Sequence, residues 1–334
     1  MTDTIVTQGS ADQGDRMSSV SLADVYRARQ VVGRYLSPTP LLYSHGLSRR
    51  VGGEVYVKYE NMSPIRSFKA RGAIYCLSRL AADKAGVVCA STGNHGQGVA
   101  LAAQLFQRRS VVVVPTTTTE QKMAAIRRLG AELQVVGDDL GESVEVATRL
   151  ANDANLEYVE DGEHPDVLAG CATLALEVIE QLPDFQRMVV QVGGGNLIAA
   201  CALVVNAIRP EAILTGVQSS LAPAVYNSWR AGEIVGPSPC ETFAGGLATT
   251  YACRLAFPYI RQGVDEMALV SDDELAEAAL VMLAETGHLP EGAGAAGLAA
   301  LLADPARYAG QKVVILLTGG NFEPYIWTRL RALP

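Results

Sequence analysis

Residues 54 to 60 read Glu-Val-Tyr-Val-Lys-Tyr-Glu, an alternation with the period of a strand that buries one face. Apolar runs at 86–90, 110–115, 188–192 and 313–317 are continuous instead, which predicts strands covered on both faces, as in a parallel sheet. Shorter segments at 131–136 and 213–217 read as further strands. Between them fall helical patterns. Ser21 opens one, with Val25, Ala28, Val31 and Val32 on a single face. Others cover 95–104, 120–129 closed by Gly130, 142–154, 166–181 and a stretch from Leu197. Ser271-Asp272-Asp273-Glu274 is a capping box for a helix that Gly287 ends.

Strand and helix alternate over residues 80–162, which predicts a small inserted α/β domain. Residues 20–79 and 163–334 then form a larger domain around it. Residues 1–19 are polar (Gln8, Gly9, Ser10, Asp12, Gln13, Gly14) and are expected to be a disordered extension. Little chain follows Asn321, so no appended regulatory domain is expected.

Composition narrows the function classes. The 334 residues are 49% hydrophobic, enough for a large core and two domains. The net charge of −8 comes without any lysine- or arginine-rich run, which argues against nucleic acid or an anionic membrane as partner. The six cysteines are scattered with no CxxC spacing, which points away from disulfides and structural zinc and toward a reducing compartment. No basic and apolar leader opens the chain, and no apolar run reaches the length of a membrane span. The expected location is the cytoplasm.

Three segments carry candidate chemistry. Lys69 follows Ser67-Phe68 and opens an apolar helix with Ala70, Ala73, Ile74 and Leu77. Burial disfavours an ammonium and lowers its pKa, and a neutral amine is what a Schiff base requires. By itself Lys69 reads more readily as a surface lysine at a helix start, since lysines are mostly exposed. Gly193-Gly194-Gly195-Asn196 stands between a buried strand and the helix from Leu197. Backbone N–H groups there can turn onto one phosphate with the helix dipole behind them, or the glycines can serve tight packing alone. The run matches neither the dinucleotide nor the Walker pattern. Ser91-Thr92-Gly93-Asn94-His95-Gly96 also joins a strand to a helix, and its hydroxyls and N–H groups suit a carboxylate. His95 reads as a general base or as a hydrogen-bonded residue that fixes this loop.

Together these segments resemble the pyridoxal-phosphate enzymes of the tryptophan-synthase-β fold (fold type II), and within them the serine/threonine dehydratase and serine racemase family. The resemblance runs from about Leu22 to about Asn321 and includes Arg71-Gly72-Ala73, Glu291 with Gly294, and Thr318-Gly319-Gly320-Asn321. It implies a two-domain α/β fold with parallel-rich sheets, and pyridoxal 5'-phosphate as cofactor. It makes Lys69 the catalytic lysine. Phe68, Asn94, Gly193, Gly194, Gly195, Asn196, Leu197, Glu291 and Thr318 become cofactor-binding residues. Ser91, Thr92, Gly93, Asn94 and His95 then bind the substrate carboxylate. A neutral hydroxyl at Thr318, facing the ring nitrogen, implies a weaker electron sink than an aspartate would give, favouring β-elimination over transamination.

This sequence departs from the family in places. The family usually has glutamine at Ser63, glycine at Arg66, and a fourth glycine at Asn196. Arg66 is expected to pair with an acid such as Glu60, or to meet an anionic substrate. Gly216-Val217-Gln218 and the residues to Ala224 lack the acidic pair of the metal-binding members, so no metal is expected there. Ala244-Gly245-Gly246 stands for the usual Ala-Asp-Gly, which with Phe243 implies an altered side-chain pocket.

The resemblance thus implies an ammonia-lyase that dehydrates and deaminates a β-hydroxy amino acid, threonine or serine by default, or a bulkier analogue such as phenylserine. Open alternatives are 3-hydroxyaspartate as substrate, amino-acid racemisation with Thr92 on the opposite cofactor face, and a non-catalytic binding protein of the same fold. A homodimer is the expected assembly.

Overall fold

The structure, a computed structural model, describes residues 19–322 and Thr328. The extension expected to be disordered lies, Ser19 apart, outside the described residues. Ten strands are described: β1 (Leu41–Tyr43), β2 (Glu54–Tyr59), β3 (Gly86–Ala90), β4 (Arg109–Val114), β5 (Glu132–Val135), β6 (Leu156–Tyr158), β7 (Arg187–Gln191), β8 (Ile213–Ser219), β9 (Glu266–Val270) and β10 (Lys312–Leu317). They form a six-stranded sheet in the order β1-β2-β10-β7-β8-β9 and a four-stranded sheet in the order β5-β4-β3-β6. Every pair is parallel except β1 with β2. Continuous burial of β4, β7, β8 and β10 matches the unbroken apolar runs: helices cover both faces, so no polar alternation is needed.

Helix ends follow the sequence closely. Ser21 and Ser271 each close a capping box with the acid three residues on, and Gly287 ends its helix in the left-handed conformation. The elements that the pattern left out are mostly short ones, among them β1, β6, β9 and the His45–Val51, Ala224–Ala231, Phe257–Gly263 and Pro305–Tyr308 helices. In β9 only Val270 is buried, a pattern too weak to mark a strand from sequence alone.

Parallel strands carry their carboxyl ends to one edge, and ligand crevices of open α/β sheets form there. Several segments leave such an end: 91–96 follows β3, 159–162 follows β6, 193–196 follows β7 and 318–321 follows β10. The Lys69–Ser78 helix is wedged between the Asn94–Leu105 and Pro165–Gln181 helices. A Cβ at Gly98 would lie 2.9 Å from the Lys69 carbonyl oxygen, and one at Gly170 would lie 2.6 Å from that of Arg71. That close contact sets Lys69 at the mouth between the two sheets.

Candidate active site

Gln191 ends β7, and three glycines then lead into the Asn196–Ile208 helix. Gly195 has φ +108°, a conformation that side-chain-bearing residues rarely adopt, and a Cβ at Gly194 would lie 2.7 Å from Cys253 Sγ. Only glycine fits either position. The N–H groups of Gly194, Gly195, Asn196 and Leu197 make no hydrogen bond within the described residues. They lie at the start of the helix, the positive end of its dipole, where unbonded N–H groups suit an anion. Asn196 is buried and its amide donates to Cys171 Sγ at 3.5 Å. Its Oδ1 has no partner.

Lys69 begins its helix, and the Phe68 N–H donates to the Thr318 carbonyl at 3.1 Å, which joins the lysine to the end of β10. The ammonium lies 4.8 Å from the centre of the Phe68 ring. Nζ is ion-paired with Asp161 Oδ2, from the loop after β6. Burial works to lower the Lys69 pKa, as the sequence suggests, but the Asp161 carboxylate outweighs it and the pKa is raised. The expectation of a lysine made neutral by burial is therefore corrected: a counter-ion that carries no sequence motif reverses the shift.

In the loop after β3, Ser91 Oγ accepts from the Gly93 N–H at 3.2 Å, while Thr92 and Gly93 lie half-buried beside it. Asn94 is held at both ends of its amide: Nδ2 donates to Glu291 Oε1 at 2.8 Å, and Oδ1 accepts from Asn321 Nδ2 at 2.8 Å. His95 is buried, with Nε2 donating to the Val159 carbonyl at 2.8 Å and Nδ1 lying 4.0 Å from Asp161 Oδ1. Burial pushes its pKa down, so it is neutral with Nδ1 unprotonated. Burial pushes the Glu291 carboxyl up, against the Asn94 amide that favours its charge.

Thr318 is buried at the end of β10. Its Oγ1 lies 2.9 Å from Gln191 Nε2, whose two N–H groups are shared among this hydroxyl and the carbonyls of Leu316 (2.8 Å) and Ala293 (3.1 Å). A hydroxyl that accepts from an amide keeps its own proton to donate.

Arg66 does not pair with Glu60. Glu60 is fully buried and taken by Arg71 at 2.8 Å through both carboxylate oxygens. Arg66 is exposed, has φ +56°, and makes no ion pair among the described residues. Its Nη2 lies 3.4 Å from where a Cβ of Gly320 would stand. The 243–246 loop lies beside Glu291, whose Oε1 would be 3.8 Å from a Cβ at Gly246. At Gly245, nothing would lie within 4 Å of a Cβ.

The structure links several of the sequence-selected segments: Phe68 bonds Thr318, Asn94 joins Glu291 to Asn321, and Cys253 packs against both Gly194 and the loop of Asp161, the partner of Lys69. Residues 32–319 match the family model described as pyridoxal-phosphate dependent enzyme. The chain belongs to the pyridoxal-phosphate-dependent enzymes. It is 37% identical over 306 residues to an L-threonine ammonia-lyase of Thermotoga maritima, covering 91% of this chain and 76% of that protein. It is 35% identical over 309 residues to an L-threo-3-hydroxyaspartate ammonia-lyase of a Pseudomonas species, covering 92% and 97%. Maize serine racemase superposes with a TM-score of 0.88 at 27% identity, covering 94% of this chain and 97% of that one.

The residues present fit pyridoxal phosphate. The cradle of unbonded N–H groups suits its phosphate, and Lys69 offers an amine. The buried oxygens of Asp161 and Asn196 without partners lie in the same region. Three side chains around this mouth escaped the sequence reading: Asp161, Gln191 and Cys253. Cys253 touches both the cradle and the Asp161 loop, since a Cβ at Gly162 would lie 2.6 Å from its sulfur.

Proposed function

We propose that this chain is an ammonia-lyase acting on a β-hydroxy amino acid, which loses its β-hydroxyl and α-proton as water, after which hydrolysis of the resulting imine releases ammonia and leaves a 2-oxo acid. The observation that carries this reading is the Thr318 hydroxyl, fixed as an acceptor by Gln191 so that its proton remains to be donated. A neutral donor toward the ring nitrogen does not keep that nitrogen protonated, and a weaker electron sink favours prompt loss of the β-hydroxyl.

Pyridoxal phosphate supplies an aldehyde that a lysine amine can capture, and a conjugated ring that takes up the electrons of a cleaved Cα–H bond. The chain does the rest. N–H groups of Gly194 to Leu197 hold the phosphate. Phe68 and Asn94 bound the ring, and Glu291 orients Asn94. Ser91 to His95 grip the substrate carboxylate. Lys69, once free, takes the α-proton at Nζ. His95, spent on the Val159 carbonyl, positions the loop. In domain terms, 80–162 carries the carboxylate-gripping loop, and 20–79 with 163–334 carries the lysine and the cradle.

A second reading concerns the β-substituent. Arg66 is an exposed cation at a conformation that costs free energy to a non-glycine residue, and such outliers gather at functional sites. It suits a substrate with an acidic β-group, such as 3-hydroxyaspartate. The experiment is 2-oxo acid formation across serine, threonine, phenylserine and the 3-hydroxyaspartate isomers. Threonine or serine turning over first supports the main reading, and 3-hydroxyaspartate dominating by about tenfold or more in kcat/KM, a 1.4 kcal/mol preference, supports the second. Colourless protein that forms no 2-oxo acid from any of them overturns both.

A further inference from the structure

Asp161 is a carboxylate inside the site that neither the sequence motifs nor the proposed reaction uses. The loop that carries it is built at several points. The Val159 N–H donates to the Val88 carbonyl at 2.9 Å, and the Val159 carbonyl accepts from His95. Cys253 Sγ lies 3.8 Å from the Asp161 carbonyl oxygen, and Gly162 turns the chain at φ +97°. The result delivers Oδ2 onto Lys69 Nζ. Oδ1 is buried, makes no hydrogen bond, and stands 4.0 Å from the unprotonated Nδ1 of His95.

We propose that Asp161 is a positioning residue for Lys69: its carboxylate holds the Nζ atom at the mouth of the site as an ammonium, and this pair must open before that nitrogen can bond the cofactor. This rests on Lys69 being the lysine that bears the cofactor. An ammonium carries three protons and no lone pair. Loss of one proton restores the lone pair that an aldehyde carbon needs, and a carboxylate within contact distance opposes that loss.

The groups that face Lys69 come from four elements besides the Asp161 loop. They are His95 on the Asn94–Leu105 helix, Cys171 on the Pro165–Gln181 helix, Cys253 before the Phe257–Gly263 helix, and Glu291 before the Gly292–Ala303 helix. Burial keeps the Cys171 and Cys253 thiols protonated and His95 neutral. Glu291 is engaged by Asn94. Asp161 is thus the dominant counter-charge on the lysine, and its second oxygen is available to any other cation that enters.

The test uses the full chain stripped of cofactor. Lys69 is labelled with trace acetic anhydride across pH, and the peptide bearing it is quantified by mass spectrometry. In Asp161→Asn the half-labelling pH should fall by about one to three units, while Asp161→Glu should retain the wild-type profile. At pH 7 the visible band that follows addition of pyridoxal phosphate should appear about tenfold or more faster in Asp161→Asn. An unchanged labelling profile in Asp161→Asn overturns the proposal. Should that variant fail to fold, the wild-type profile decides: half-labelling above about 10.4, the ordinary lysine value, supports the pair, and a value at or below it overturns it. Failure of the underlying reading looks different: Lys69→Ala would still form a band that borohydride reduces, whatever the labelling shows.

Discussion

Lys69 and Arg71 stand two residues apart on one helix, and both are ion-paired to acids from distant segments. Their surroundings differ in one respect: completeness. Arg71 is 1% exposed and spends all five N–H groups. Nε and Nη2 donate to the two oxygens of Glu60, Nη1 and Nη2 to those of Glu177, each at 2.8 Å, and Nη1 also reaches Thr173 Oγ1 at 3.3 Å. Lys58 completes the set with bonds to the Thr39 carbonyl (2.7 Å), Glu177 (2.9 Å) and Gln181 (2.9 Å). Two cations meet two anions, and no donor on either cation is left over. Lys69 has one carboxylate oxygen on it, and the other oxygen of that carboxylate has no partner. A closed network can only hold elements together, and an open one has capacity left for a ligand.

The sharpest way to break this contrast is at Lys69 itself. Lys69→Ala should lower turnover by at least about ten-thousandfold, roughly 5.5 kcal/mol of barrier, with the far-ultraviolet circular dichroism unchanged. Retention of even a tenth of wild-type kcat would show that another amine does the work and that the open pair is not the reactive one.

Arg71 should fail in the opposite manner. Arg71→Met leaves Glu60 and Glu177 buried with Lys58 and the more distant Arg29, 3.9 Å from Glu177, as the remaining cations, and breaking a buried pair of this kind costs about 3–5 kcal/mol. Urea unfolding should show that loss as a lower midpoint at constant slope. A destabilisation below about 1 kcal/mol would mean that the network does not bind the Lys69–Ser78 helix to β2 and the Pro165–Gln181 helix, and that its completeness is incidental.

The same contrast explains what could be read from sequence. Gly193 to Gly195 and Ser91 to His95 were legible because a glycine- or hydroxyl-rich turn between a buried strand and a helix has few uses, and their order along the chain is specific to one family. Asp161 was not. It lies 92 residues from Lys69, in an Glu160-Asp161-Gly162 turn with no motif, and only the pairing of β6 with β3 brings it to the lysine. The one available signal was two adjacent acids following a strand. Arg66 and Glu60 were matched by their nearness in sequence, yet Arg71 reaches Glu60 first: its planar fork takes both oxygens from the buried face of a helix. Sequence proximity finds partners across a turn, and a buried bidentate pair overrides it.

The smallest expected effect is that of chelation. Family members with a divalent cation carry an acidic pair after the strand corresponding to β8, and this chain has no acid from Gln218, near the end of that strand, to Ala224. The Gln218 side chain belongs with Arg71 rather than with Lys69, because its capacity is spent. Oε1 accepts from the N–H groups of Val225 (3.1 Å) and Tyr226 (2.9 Å) at the start of the Ala224–Ala231 helix, and Nε2 donates to the Gly193 carbonyl at 3.2 Å. The amide thus ties the glycine run to a neighbouring helix directly. Nor do three histidine, cysteine, aspartate or glutamate side chains converge elsewhere among the described residues. A neutral amide oxygen that already accepts twice has little left for a hard cation, which prefers several charged or carbonyl oxygens. Excess EDTA should therefore leave both 2-oxo acid formation and Tm within experimental error of the untreated enzyme. A clear loss of activity, restored by Mg²⁺ or Ca²⁺ but not by monovalent salt at equal ionic strength, would show that a cation rather than Gln218 secures the cradle.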